Sequence, residues 1–122
     1  MVSSESSENY LETILVLSRK KPVVRSVDIA NETGFRKSSV SIAMKNLREH
    51  DMISVSTEGY ISLTDAGMKI AAMIYERHQV LSTWFIRLGV DETTAVSDAC
   101  KIEHDLSPKS FAAIKKFIEE NG

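Results

Sequence analysis

The chain has 122 residues, 43% of them apolar and 26% charged, and a net charge of −2. That balance fits an ordinary globular chain and excludes a disordered one, while a single cysteine, Cys100, excludes an internal disulfide. Apolar stretches are broken by charge within a few residues and the stretch from Met1 to Glu8 is polar. Neither a membrane span nor a secretory leader is therefore expected, and the predicted location is cytoplasmic.

The first helix is predicted from about Ser6 or Ser7 to Arg19, with Tyr10, Leu11, Ile14, Leu15 and Leu17 forming its apolar face. Lys20-Lys21-Pro22 ends it, because the residue before proline is pushed out of the helical region. Ser26 is the expected cap of a short second helix that stops at Gly34. Ser38 or Ser39 is the expected cap of a third, running to about His50. Two short helices joined by a glycine-containing turn form the helix-turn-helix pattern. Val27, Ile29, Ala30, Val40, Met44 and Leu47 are expected to pack the pair, leaving Lys37, Ser38, Ser41, Lys45 and Arg48 outward.

The charge distribution agrees with that pattern. Between Arg19 and Arg48 stand eight Lys or Arg against two acids, a local balance of +6 in an acidic chain. Ser38, Ser39 and Ser41 are small enough for close approach to a major groove, and Arg36, Lys37 and Lys45 can reach phosphates. These six are the candidate contacts to double-stranded DNA.

Ile53 and Val55 alternate with serines, as do Ile61 and Leu63, around Thr57-Glu58-Gly59. Two alternating runs about a glycine turn predict a β-hairpin, and a hairpin directly after a helix-turn-helix is a wing. Thr64 is the expected cap of a long fourth helix reaching about Leu88, with a stripe of Ala71, Ile74, His78, Leu81, Phe85 and Leu88. A fifth helix is predicted from about Glu92 to His104 or Asp105. Ser107-Pro108 opens a sixth, with Phe111, Ile114, Phe117 and Ile118 on one face. The predicted class is mainly α: a winged helix-turn-helix domain over residues 1–66, then an all-helical domain over 67–122. Trp84, Phe85, Phe111, Ile114 and Phe117 are more apolar surface than one short helical lobe can bury, which predicts a two-fold dimer interface.

Cys100, Glu103 and His104 stand at i, i+3 and i+4 of the fifth helix, so thiol, carboxylate and imidazole converge on one face. All three side-chain types bind divalent transition metals. A closed tetrahedral site needs a fourth ligand, and Asn9, Glu12 and His78 are the available donors. His50 follows the third helix and is read as a helix-terminus residue. No catalytic triad, phosphate loop or closed zinc finger is visible, so the chain is not expected to be an enzyme.

Several stretches together resemble the diphtheria-toxin-repressor-type metalloregulators, the iron-dependent repressors and manganese transport regulators. They are Glu8-Asn9-Tyr10-Leu11-Glu12-Thr13-Ile14, Val27-Asp28-Ile29-Ala30, Ser38-Ser39-Val40-Ser41, Leu63-Thr64-Asp65-Ala66-Gly67, Glu76-Arg77-His78 and Ile102-Glu103-His104-Asp105-Leu106-Ser107. The resemblance runs from Glu8 to about Glu120 and implies a metal-activated repressor that binds operator DNA as a homodimer. It also implies the short, two-domain architecture of the manganese regulators, without the SH3-like domain of longer members.

Carried onto this sequence, the implied metal ligands are Asn9, Glu12, His78, Cys100, Glu103 and His104. Manganese regulators carry acids where Asn9 and Cys100 stand, whereas iron-type members carry methionine and cysteine. This chain thus has the iron-type cysteine on a manganese-type frame, with a neutral amide at position 9. Ser82 lacks the carboxylate that iron-type members place one turn after the histidine. The implied cofactor is a divalent transition metal, iron(II) before manganese(II), with cobalt and zinc able to bind in vitro. The rival reading is a winged-helix regulator that is independent of metal, or one in which Cys100 senses oxidation.

Overall fold

The computed structural model describes residues 5–121. In chain order these form α1 (Glu5–Lys20), α2 (Ser26–Thr33), α3 (Lys37–Glu49), β1 (Ile53–Val55), β2 (Ile61–Leu63), α4 (Asp65–Arg87), α5 (Glu92–Ile102) and α6 (Pro108–Asn121). Two compact units divide between Met73 and Ile74, inside α4. No helix among the described residues is long and apolar enough to cross a membrane.

The first unit is a winged helix-turn-helix. Its core is the apolar face of α1, with Leu11, Ile14, Leu15 and Leu17 all buried, packed with Ile29 of α2 and Val40, Met44 and Leu47 of α3. Val27 was expected in this core but is 41% exposed. Val27 and Ile29 stand two residues apart on the helix and so on opposite sides of it, and Ile29 takes the buried side. Arg25, not Ser26, is the N-cap of α2, so the helix begins one residue early. The Arg25 backbone N–H donates to Asp28 Oδ2 at 2.9 Å, which is half of a capping box. That bond, and then the Lys21 ammonium beside it, hold the Asp28 carboxyl below the ordinary carboxylate range. Gly34 closes α2 at φ 77°, a left-handed conformation, and its N–H reaches Ala30 O. α3 also starts early, with Arg36 rather than a serine at its N-cap.

β1 and β2 pair antiparallel in the register Ile53↔Leu63, Ser54↔Ser62 and Val55↔Ile61. Period-two alternation buries Ile53 and Ile61 and exposes the two serines, as expected for a half-buried strand pair. The Ile61 N–H donates to Val24 O at 2.7 Å, so the segment before α2 adds to the free side of β2. Arg25 Nη2 donates to Tyr60 Oη at 3.2 Å, and its guanidinium lies 4.9 Å from the ring centroid.

Thr64 caps α4 as expected: its hydroxyl accepts from the Gly67 N–H at 3.1 Å and donates to Asp51 O at 2.7 Å. Gly67 is buried beneath the backbone that leads into β1.

The second unit is all-helical. Leu81, Ala99 and Phe111 form its buried centre, with Val80, Trp84, Phe85, Ile102, Leu106 and Ile114 packed around them. Trp84 and Phe85 stack at 5.9 Å. Leu88, placed by periodicity on the buried stripe of α4, is instead 64% exposed. The helix stops at Arg87 and Gly89 turns the chain at φ 102° before Leu88 can be covered. Asp91 caps α5 by accepting from the Thr94 N–H, and Ser107 caps α6 by accepting from the Ser110 N–H.

A methyl group at Gly67 would overlap the carbonyl oxygen of Met52, which is backbone and has little freedom to move. Gly67→Ala should therefore destabilise the first unit by about 2 kcal/mol. Urea unfolding followed by circular dichroism would show this as a lower midpoint with an unchanged slope.

Candidate metal centre and nucleic-acid interface

α5 ends two or three residues sooner than its sequence suggests. Ile102 is its last residue, and Glu103 is the C-cap at φ −60°, ψ −24°. Asp105 N–H bonds to Ile102 O across a tight turn. Cys100 thus lies on the helix, while Glu103 and His104 lie on the turn after it. Because Glu103 keeps near-helical dihedrals, the three side chains still converge. Their ligand atoms all lie within 4.8 Å of one another, the one such cluster of metal-binding side chains among the described residues.

Glu103 is the centre of this group. It is fully buried, which is costly for a carboxylate unless cations or donors surround it. His78 Nδ1, from α4, lies 2.9 Å from Glu103 Oε2. His104 Nε2 lies 3.4 Å from Glu103 Oε1, and its side chain is 2% exposed. Oε1 itself receives no hydrogen bond from the described residues. Cys100 is exposed at the edge of the cluster.

The donor set therefore suits a divalent transition ion. A buried carboxylate oxygen without a hydrogen bond faces an imidazole and a thiol, and a cation among them would compensate the carboxylate charge. The other two expected ligands, Asn9 and Glu12, are half-buried residues on α1, one turn apart. Ser82 donates back to His78 O at 2.6 Å, engaged within its own helix.

Sequence reasoning missed Arg77. It is 4% exposed, and its Nη1 donates to Glu103 O at 2.9 Å and to Leu106 O at 2.6 Å. Its guanidinium also lies 5.4 Å from the Phe111 ring centroid. One side chain therefore satisfies a carbonyl at the C-terminus of α5 and another just before the cap of α6. A charged residue one position before His78 on a helix with a strong apolar stripe was the available signal.

The candidate DNA contacts Arg36, Lys37, Ser38, Ser39, Ser41 and Lys45 are all exposed, on α3 or at its N-cap. Ser41, Lys45 and Arg48 border a shallow cleft with Ser26 and the hairpin residues Val55 and Ile61. His50 is the C-cap of α3, with Nδ1 2.8 Å from Asn46 O.

Two family models match consecutive parts of the chain. That of the iron dependent repressor N-terminal DNA binding domain matches residues 3–61. That of the iron dependent repressor metal binding and dimerisation domain matches residues 64–121. The chain belongs to the iron-dependent repressor family. It is 33% identical over 121 residues to an uncharacterised HTH-type transcriptional regulator of Methanocaldococcus jannaschii, covering 96% of this chain and 95% of that one. It is 30% identical over 118 residues to the HTH-type transcriptional regulator MntR of Bacillus subtilis, covering 97% of this chain and 83% of that one. A solved manganese-dependent transcriptional repressor in complex with manganese superposes with a TM-score of 0.83 at 24% identity. That match covers 93% of this chain and 52% of the solved chain, so the present chain spans about half its length. Like its relatives in this family, the chain is a transcription regulator and not an enzyme.

If Arg77 sets the turn that presents Glu103 and His104, its loss should weaken metal binding more than it weakens the fold. Arg77→Gln should lower cobalt(II) affinity about 10- to 100-fold, the usual effect of removing a support behind metal ligands. Competition against a chromophoric chelator measures the affinity, and urea unfolding of the metal-free protein measures the fold. Arg77→Lys, which keeps the charge but not the forked geometry, should fall between parent and Gln.

Proposed function

We propose that this protein is a repressor that binds operator DNA as a homodimer when a divalent transition metal is held by Cys100, Glu103, His104 and His78, with Asn9 and Glu12 completing the set. The observation that carries this reading is the buried Glu103 carboxylate, gathered with a thiol and an imidazole. In this reading residues 1–66 form the DNA-binding domain and residues 67–122 the metal-binding and dimerisation domain. Membership of a family whose models describe DNA-binding, metal-binding and dimerisation domains supports the assignment.

The roles of the residues follow from their chemistry. Glu103 supplies the negative charge, His78 and His104 supply imidazole nitrogens, and Cys100 supplies a soft thiolate. Asn9 offers a neutral carbonyl oxygen where a carboxylate would bind a hard ion better. A bound ion supplies a cross-link between these side chains, and its preference for the DNA-competent arrangement over others is what shifts the population. A differential affinity of a few kcal/mol is enough for such a switch. Of the five residues expected at a dimer interface, Phe111 is instead buried and Trp84, Phe85 and Ile114 pack around it within the second unit, which leaves Phe117. The partner surface in this reading is Phe117 with Ile86, Leu88 and Val96, all at least 40% exposed. Serines 38, 39 and 41 approach the bases, while Arg36, Lys37 and Lys45 meet phosphates.

The thiolate and the amide both disfavour manganese, which sits at the weak end of the divalent series and prefers oxygen donors. Iron(II) is therefore the favoured activator and manganese(II) the second, with cobalt and zinc binding more tightly than manganese in vitro. Metal titrations of operator binding test this. His104→Ala and Glu103→Ala should abolish activation while circular dichroism stays that of a folded protein. Cys100→Asp should shift preference towards manganese. Activation of His104→Ala like the parent, or equal operator binding in chelator, would refute the metal-dependent mechanism.

Salt dependence tests the DNA surface separately. Lys37→Ala and Lys45→Ala should each weaken binding on all duplexes alike. Each should also flatten the slope of log affinity against log salt by about one. Unchanged slopes in both would move the phosphate contacts elsewhere on the protein.

A further inference from the structure

On the exposed side of α3, one residue does not match its surroundings. Ile42 is 63% exposed, whereas the other large apolar residues of the helix, Val40, Met44 and Leu47, are buried. Its helical neighbours one turn either way are Ser38, Ser39, Lys45 and Asn46, and Ser41 precedes it; all are exposed. A single large aliphatic group ringed by small hydroxyls and cations does not make the aromatic-rich apolar centre of a protein interface. It does suit a surface whose charge is negative and which presents isolated apolar groups.

We propose that Ile42 is a specificity-determining residue that packs against the 5-methyl group of a thymine in the major groove of the operator. The inference rests on the reading of α3 as the DNA-recognition helix. Thymine carries the one apolar group on the major-groove edge of the four bases. Cytosine has only a hydrogen in place of that methyl, and a purine there would place a hydrogen-bonding edge against an aliphatic side chain and leave it without water or partner. The short Ser38, Ser39 and Ser41 side chains let the helix come close enough for that contact. Lys45, one turn further along, adds positive charge on the same side. Ile42 is β-branched, so its χ1 is nearly fixed in a helix and little side-chain freedom is lost on binding. No hydrogen bond in the groove restricts it, so discrimination comes from the methyl group alone.

Replacing thymine by deoxyuridine removes that methyl and nothing else, which isolates the contact. The cobalt(II)-loaded protein would first be used to select duplexes from a random pool. Each thymine of the selected duplex would then be changed to deoxyuridine, symmetrically in both half-sites. The parent should lose about fivefold in affinity at one thymine per half-site. Ile42→Ala should lose a similar factor on the thymine duplex and be indifferent to deoxyuridine at that position, while keeping its sensitivity elsewhere. Ile42 is exposed and alanine favours helix, so the variant keeps its fold. An identical deoxyuridine profile for parent and Ile42→Ala would overturn the proposal, as would a uniform loss of affinity that leaves the profile unchanged. Failure to enrich any sequence would overturn the DNA-binding reading itself, and the thymine contact with it.

Discussion

A carboxylate with no exposure to solvent sits at Glu103, and the second unit is arranged around the need to compensate it. Removing an ionised carboxyl from water costs several kcal/mol unless charge and hydrogen bonds replace the lost hydration. Here two imidazoles converge on its two oxygens, one from α4 and one from the next residue in the chain. Arg77 takes up the backbone carbonyl of the same residue, so the buried negative charge and a buried positive charge are set within one residue of each other. The compensation is incomplete: one carboxylate oxygen still lacks a hydrogen bond among the described residues.

The first unit is built differently. Its core of α1, α2, α3 and the hairpin takes in the large apolar residues of α3 except Ile42, and leaves serines and cations outside. Backbone detail holds this frame in place. The Asp28 cap starts α2, Gly34 ends it, and the Val24 carbonyl adds to the hairpin at β2. Gly67 lies so close to the Met52 carbonyl that no side chain fits, which ties the start of α4 to the residue that leads into the wing.

Most of this frame is local and was legible in the sequence. Six helices, a hairpin, the Thr64 and Ser107 caps and the helix-turn-helix pairing follow from periodicity, caps and turns, each of which acts over a few residues. So does the convergence of Cys100, Glu103 and His104, because spacings of three and four meet on one face whether the last two residues close the helix or follow it. Two apolar residues were placed wrongly. Val27 stands opposite Ile29 on the short α2, where only one side is covered. Leu88 emerges because α4 stops at Arg87, and helix ends are decided by bonds that periodicity does not register.

The tertiary structure alone decided three things. It set the burial of Glu103 and the approach of His78 across 25 residues, since helical spacing says nothing about which helix packs where. It gave Arg77 its partners, because the acceptors are backbone carbonyls 26 and 29 residues away and a carbonyl carries no sequence signature. And it showed Ile42 in solvent: periodicity assigns the packed side of α3 to Val40, Met44 and Leu47, which are buried, and it assigns Ile42 no place, whereas the folded unit leaves it 63% exposed. The sequence by itself determined the local elements and the chemical types of the donors, because short-range geometry dictates both. Which donors share a buried site, and which apolar group faces solvent, depended on contacts between residues far apart in the chain.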